Sequence, residues 1–297
     1  MAQGVTLCVG VSPSMDVTLR VAGLDRDRVN RVTGERREAG GKALNVAREL
    51  CRLGKPCRLL SLLGESGADE YLAAAASGCA ADMRAVRYDG RVRENLTILT
   101  GDGGTVKINR PGDSYDPALS ARLTSETSAL TSPGGVAVFS GSVPPGMTSG
   151  QYIELMNTAA DRGARLAVDT CALTRGELTA LRPWLIKPNE HELCELCGQP
   201  PESEADTERL MALAGELVCE GVGIVLLTLG GRGLAAVTAD GTVRVTARPA
   251  TVRNTVGAGD SALAGFIAAW TEGRSLRECA DSAAESGARA VEREGTA

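Results

Sequence analysis

From Arg58 onward the chain repeats one pattern, a short apolar run followed by a longer amphipathic stretch. The runs are Leu59 to Leu63, Val136 to Ser140, Leu166 to Asp169, Trp184 to Lys187 and Ile224 to Leu229; intervening stretches such as Glu65 to Ala76, Thr148 to Asp161 and Glu190 to Cys197 have helical spacing. Strands separated by helices need right-handed crossovers, which lay the strands parallel in one sheet between two helical layers. Val5 to Val11 reads as a buried first strand that runs into Ser12-Pro13-Ser14 and the loop carrying Asp16. In such a sheet, ligands bind outside the carboxyl ends of the strands, so polar residues at strand ends become site candidates. Two stretches break the pattern. Val17 to Glu38 and Arg84 to Ile108 alternate apolar and polar side chains and carry many charges, as half-exposed antiparallel strands do. The expectation is an α/β fold in three αβα layers: one domain over residues 1–297, with a small β-sheet lid drawn from about 17–38 and 84–110.

Composition limits the function classes. Of 297 residues, 43% are hydrophobic but only 3% aromatic, and 36 are glycine, so the core is built mainly from Ala, Val and Leu and joined by many tight turns. A net charge of −5 without a long basic run argues against nucleic acid as a partner, since duplex binding depends on neutralising phosphates. No apolar segment reaches the roughly 18 residues a membrane span needs, and Met1 to Gly10 lacks the features of a secretion signal, so a cytoplasmic location is expected. The nine cysteines are spread from Cys8 to Cys279 and read as reduced thiols. His191, Cys194 and Cys197 have metal-like spacing, but three ligands fall short of a closed structural zinc site, and packing within a helix accounts for them better.

Three strand ends and two helix starts carry the chemistry. Gly257-Ala258-Gly259-Asp260-Ser261 opens the apolar run Ala262 to Trp270, so a glycine turn feeds a helix N-terminus, whose unpaired N–H groups and dipole suit an anion. Asp260 is then either a helix cap or a base beside a phosphoryl group. Gly40-Gly41-Lys42-Ala43-Leu44-Asn45 starts a second helix that stops at Gly54; it is not a Walker A loop, because Ala43 stands where Ser or Thr must hold magnesium. Ser140 leads a Pro/Gly-rich turn that ends at Gly146. Lys187-Pro188-Asn189 precedes Glu192, and Asn189 with Glu192 has capping-box spacing. Thr228-Leu229-Gly230-Gly231-Arg232-Gly233 fits a turn between strands, and equally a close backbone approach to a nucleotide.

In this order, along nearly the whole chain, the motifs resemble the ribokinase-like carbohydrate kinases known as the PfkB family. Gly40-Gly41-Lys42 with Asn45 is similar to that family's N-terminal signature, and Val256 to Ser261 with Gly265 to its C-terminal one. Ser12 to Asp16, Val106 to Gly112, Ser140 to Pro144 and Ile186 to Asn189 look closer still to the sugar-phosphate branch. The resemblance implies Asp260 as the base that takes a proton from a sugar hydroxyl, with the backbone of Gly257, Ala258 and Gly259 stabilising the phosphoryl group in transit. Asp16, Gly41 and Asn45 would bind sugar hydroxyls; Lys42, Arg93 and Ser140 would grip the phosphate already on the substrate. Lys187, Asn189 and Glu192 would lie near the ATP phosphates, Glu192 acting indirectly on Mg2+, and Thr228, Gly230 and Gly233 near the nucleotide. The implied substrates are ATP with Mg2+ and a ketohexose phosphate: fructose 1-phosphate phosphorylated at O6, or tagatose 6-phosphate or fructose 6-phosphate at O1. A homodimer paired through the lid is also implied, and neither nucleic acid nor membrane is an expected partner.

Ala43, Ser12 and Arg110 depart from the family pattern, and the chain stops at Ala297. None of these touches Gly257 to Asp260. One rival is a dinucleotide-dependent oxidoreductase, since Gly257, Gly259 and Ala262 fit G-x-G-x-x-A, but Pro249 to Thr255 is too polar for the buried strand that motif requires. The other is a sugar-phosphate-binding protein without turnover, which an intact Asp260 disfavours.

Overall fold

The computed structural model describes residues 4–200 and 206–293. β1 (Thr6–Gly10) runs into β2 (Ser14–Val21) and β3 (Val32–Gly40), followed by α1 (Lys42–Arg52), β4 (Cys57–Ser66), α2 (Ala68–Ala76), β5 (Asp82–Arg91), β6 (Arg93–Thr100) and β7 (Thr105–Asn109). Next come α3 (Ser120–Leu130), β8 (Val136–Ser140), α4 (Ser149–Asp161), β9 (Arg165–Asp169), α5 (Arg175–Leu181), β10 (Leu185–Ile186), α6 (Glu190–Leu196) and α7 (Thr207–Cys219). β11 (Ile224–Thr228), β12 (Leu234–Thr238), β13 (Gly241–Val245), α8 (Ala258–Thr271) and α9 (Leu276–Val291) complete the described chain.

Nine strands form one sheet in the order β13-β12-β11-β10-β9-β8-β1-β4-β5, parallel from β11 to β5 and antiparallel only at β12 and β13. The near-continuous apolar strands follow from burial on both faces. In β8, Ala137 and Phe139 point into a core that includes Leu123 of α3, Tyr152 of α4 and Leu213 of α7. Val136 and Val138 point the other way, among Leu44 of α1, Tyr71 of α2 and Phe266 of α8. Each face thus has its own helical layer, giving the three layers the alternation implied.

The smaller sheet has the order β3-β2-β6-β7. Here the structure departs from the expectation in two ways. Asp82–Arg91 pairs with β4 and is the edge strand of the large sheet, so the second excursion feeds the small sheet only from Arg93. A single buried residue, Val92, carries the chain from one sheet to the other, and its N–H is held by Ser66 O at 2.9 Å. The pairing is also mixed, with β2 antiparallel to β3 but parallel to β6. The edge strand of the large sheet and the strands of the small sheet show the same half-exposed alternation, so side-chain pattern alone does not separate them.

Candidate functional site

The strand order reverses at β1: β4 and β5 lie to one side of it, and β8 to β11 to the other. The loops at the carboxyl ends diverge there and leave a crevice. A cleft of about 1250 Å³ occupies that place, and every residue picked out from the sequence as a site candidate lines it. Ser140, Lys187 and Thr228 arrive from the ends of β8, β10 and β11, Asp16 from β2, Lys42 and Asn45 from α1, and Asp260 from α8.

α8 starts on Gly257, which takes φ 80° at the N-cap, a left-handed conformation open to glycine at no steric cost. No side chain caps this helix, and the N–H groups of Gly259 and Asp260 have no backbone acceptor among the described residues. Asp260 does not serve as the cap. It sits in the first turn, 5% exposed, and its Oδ2 accepts a hydrogen bond from Asn45 Nδ2 at 2.8 Å. Burial, with the nearby Asp169 charge, raises its pKa to about 6. Asn45 Oδ1 is buried and has no partner among the described residues. A carbonyl left so costs about 1–3 kcal/mol, which a ligand hydroxyl would relieve.

Cations gather around this helix start. Lys187, 4% exposed, pairs with Asp169 at 3.3 Å. A Cβ on Gly259 would come within 3.2 Å of Lys187 Nζ, so the absence of a side chain there lets the ammonium reach the first turn of α8. Lys42 Nζ lies 3.3 Å from Asp169 and 3.6 Å from Glu192. Burial opposes its charge, but Asp169, Glu192 and Asp260 together hold its pKa above the usual lysine value. Asp169, 2% exposed on its side chain, accepts from Ser140 Oγ at 3.1 Å. Burial would raise its pKa, yet Lys187, Lys42 and the Ser140 hydroxyl hold it below the usual carboxylate range. One buried anion therefore organises two cations at the mouth of an uncapped helix.

On the small-sheet side, Asp16 and Arg93 hold opposite ends of a polar network. Asp16 Oδ1 accepts from Ser14 Oγ at 2.9 Å and from Asn95 Nδ2 at 3.0 Å. Its Oδ2 fills the space a side chain at Gly40 would need: a Cβ there would come within 2.2 Å. Arg93 donates to Ser12 O and to Asn95 Oδ1. Gly41, at φ 124°, turns the chain into α1. Lys42 and Arg93, expected to grip one phosphate together, share no partner among the described residues; the carboxylates of Asp169 and Glu192 draw Lys42 towards Lys187 instead.

At the other end, Asn189 caps α6 in a full capping box with Glu192, whose Oε2 accepts from Asn189 N at 2.9 Å. The local capping role is therefore present, and Glu192 Oε1 is still left facing Lys42 and Cys171. Thr228 N bonds to Pro188 O at 3.0 Å, tying the β11 end to the Lys187 loop. Gly230 to Arg232 form a short 3-10 turn between antiparallel β11 and β12, as a turn between strands requires. Gly233, at φ 101°, lies so close to Val245 O that a Cβ would sit 2.0 Å from it. The segment before α8 is irregular rather than a strand, which removes the context a dinucleotide fingerprint needs. Cys194 is buried in the core with Leu193, and Cys197 packs against it, while His191 is exposed: the helix-packing arrangement.

A model of the "pfkB family carbohydrate kinase" domain matches residues 6–297. The chain belongs to the pfkB family. It is 33% identical over 274 residues to a 1-phosphofructokinase of Rhodobacter capsulatus, covering 92% of this chain and 85% of that one. To a 1-phosphofructokinase of Xanthomonas campestris it is 30% identical over 282 residues, covering 92% and 87%. Among solved structures, phosphofructokinase-2 from Escherichia coli in complex with fructose-6-phosphate superposes with a TM-score of 0.87 at 23% identity, over 98% of this chain and 94% of that one. Arabidopsis thaliana ribokinase with ribose and ATP superposes at 0.77 and 20% identity, over 99% and 94%. At those identities the two structures establish the ribokinase-like fold and nothing more.

For a pfkB family chain, the sequence reading missed three residues of the cleft network. Asp169 was legible as a charge ending an otherwise apolar strand, the same signal that marked Ser140 and Lys187. Ser14 and Asn95 gave no comparable sign, because polar residues on an alternating strand are ordinary; the pairing of β2 with β6 gives them their place. Small residues of α9, Ala284 and Ala288, and Val252 of the segment before α8 also line the cleft. Among the described residues, no helix is long and apolar enough to cross a membrane.

Proposed function

We propose that this chain is an ATP-dependent 1-phosphofructokinase, which transfers the γ-phosphoryl group of ATP to O6 of fructose 1-phosphate and yields fructose 1,6-bisphosphate. The observation that carries this reading is the buried Asp260, with its pKa raised to about 6, in the first turn of an uncapped glycine-led helix flanked by Lys187 and Lys42. The naming of both relatives supports the choice of substrate. Tagatose 6-phosphate and fructose 6-phosphate are the alternative acceptors.

Phosphoryl transfer needs positioning and electrostatics rather than covalent chemistry from the protein. The O6 oxygen attacks the γ-phosphorus, the bond to the β,γ-bridging oxygen breaks, ADP leaves, and the O6 proton passes to Asp260. With its pKa near 6 the carboxylate is ionised at neutral pH yet more basic than a solvated one. Asn45 orients it through Oδ2 and accepts a sugar hydroxyl at its own free Oδ1. The backbone of Gly257, Ala258 and Gly259, through the unpaired N–H groups of Gly259 and Asp260, meets the charge on the moving group together with Lys187, and Lys42 spans towards the nucleotide phosphates. Mg2+ arriving with ATP would be held through water by Glu192, whose hard oxygen faces the cleft, and would neutralise charge on the phosphate oxygens.

Asp16 and Gly41 bind sugar hydroxyls; Arg93 takes the 1-phosphate end, while Ser140, whose hydroxyl donates to Asp169, lines the cleft beside Lys42 and Lys187. Asn189, Thr228, Gly230 and Gly233 border the ATP phosphates and ribose, and the small residues of α9 take the adenine ring. The whole chain works as one kinase domain in the cytoplasm, with the small sheet closing as a lid. Pairing registers put Leu19, Leu96, Ile98, Val106 and Ile108 on one face of that sheet, half-buried or exposed, and a second copy of this chain covers it. Steady-state release of ADP across ketohexose phosphates tests the reading, with fructose 1-phosphate expected to give the highest kcat/KM.

A further inference from the structure

We infer that Asn95 is the positioning residue that holds the phosphate-binding and hydroxyl-binding halves of the acceptor site at a fixed separation, and so sets which sugar phosphate the cleft accepts. This rests on the assignment of a sugar phosphate as acceptor.

Asn95 stands on β6 directly beside Asp16 of β2, and Arg93 beside Ser14, in the parallel register. Side chains two apart on a strand share a face, so all four project together towards the cleft. The amide of Asn95 then joins the two ends. Its Oδ1 accepts from Arg93 Nη1 at 3.2 Å, while its Nδ2 donates to Asp16 Oδ1 at 3.0 Å and to Ser14 Oγ at 3.0 Å. A guanidinium can only donate and a carboxylate can only accept, so the chemistry of the neighbours fixes which end of the amide faces which. Few side chains fit between them. An aspartate would still accept from Arg93 but would set a like charge against Asp16; an alanine would release both.

The consequence for Asp16 is specific. Ser14 and Asn95 both donate to Oδ1, which leaves Oδ2, beside Gly40, as the oxygen open to a ligand hydroxyl. Arg93 is similarly tethered by Ser12 O on one side and Asn95 on the other, so its reach for an anion is set by the same amide. The span between anion and hydroxyl recognition is thus a property of the sheet register, not of two free side chains. Sugar phosphates whose phosphate and hydroxyls are spaced differently are distinguished by that span.

The test uses full-length Asn95→Asp and Asn95→Ala beside the wild type, with KM and kcat for fructose 1-phosphate, fructose 6-phosphate and tagatose 6-phosphate, KM for ATP, and Tm. A KM for the preferred sugar phosphate raised about 10- to 100-fold, as loss of hydrogen bonds to charged groups implies, is expected in both variants. The rise should exceed any change in kcat or in KM for ATP, and the selectivity among the three sugar phosphates should narrow. If wild type and variants share the same KM values and the same selectivity, Asn95 positions nothing and the proposal fails. Loss of Tm, kcat and ATP affinity together would assign it a purely structural role and equally overturn the proposal. A wild type that turns over no sugar phosphate would instead remove the acceptor assignment, and this inference with it.

Discussion

Asp260 could have been the cap of α8 or a base, and its surroundings exclude the cap. The N-cap position belongs to Gly257, and the carboxylate is turned to Asn45 of α1, 215 residues away in sequence. Asp260→Asn keeps the shape and removes the basicity, so kcat should fall by roughly 10²–10⁴-fold while ATP affinity changes little. The pH dependence follows from the same group. A base works in its ionised form, so kcat/KM of the wild type should rise with pH to a plateau above about 6, the value to which burial and Asp169 lift this carboxyl. The residual activity of Asp260→Asn should lack that limb; an Asn variant with the same limb would move the titration to another group. At this scale the sequence was informative wherever a polar residue ended an apolar run, as at Ser140, Lys187 and Thr228. It was silent on Asn95 and on the tether of Lys42 to Asp169, since both are set by which strands pair and which loops meet.

The helices and strands owe their placement to packing that composition only partly reveals. α8 is buried along most of its length and lies against α9 and α1, so its glycines carry steric demands as well as conformational ones. Gly265 faces α9, where a Cβ would meet Ser286 Oγ at 2.5 Å and Ser282 O at 2.6 Å. Gly265→Ala should force the two helices apart at a cost of about 1–3 kcal/mol. Differential scanning calorimetry would show this as a Tm lowered by several degrees, since each kcal/mol shifts Tm by roughly 2–4 °C in chains of this size class. An unchanged Tm would mean the crossing accommodates the methyl group. Element type was legible where apolar runs were short and turns rich in glycine, and the parallel sheet followed from alternation. Sheet membership was not: β5 and β6 have similar half-exposed patterns, and only Val92 between them marks the change.

Seen whole, the molecule sets a large buried sheet beside a small one whose apolar face is buried at Val17 and Val21 and exposed towards β7. Val106 and Ile108 are 37% and 47% exposed on that face. If a second copy covers it, sedimentation at micromolar concentration should report a dimer, and Ile108→Asp should shift it towards monomer because an unpaired charge would be buried in the interface. A wild type that stays monomeric across that range would leave this face of the small sheet to another role. The proposed chemistry belongs to the cleft beside the two sheets, lined by an uncapped helix start, two lysines and a raised carboxylate as well as by Arg93 and Asp16. Its most direct test is the kcat/KM of the purified protein, with ATP and Mg2+, for fructose 1-phosphate against unphosphorylated fructose, ribose and a nucleoside. Fructose 1-phosphate should be converted efficiently to fructose 1,6-bisphosphate, and the unphosphorylated acceptors should be used at least about 100-fold less well, roughly the worth of one charge-assisted phosphate contact. No turnover of any sugar phosphate, with good turnover of an unphosphorylated sugar or nucleoside, would contradict it.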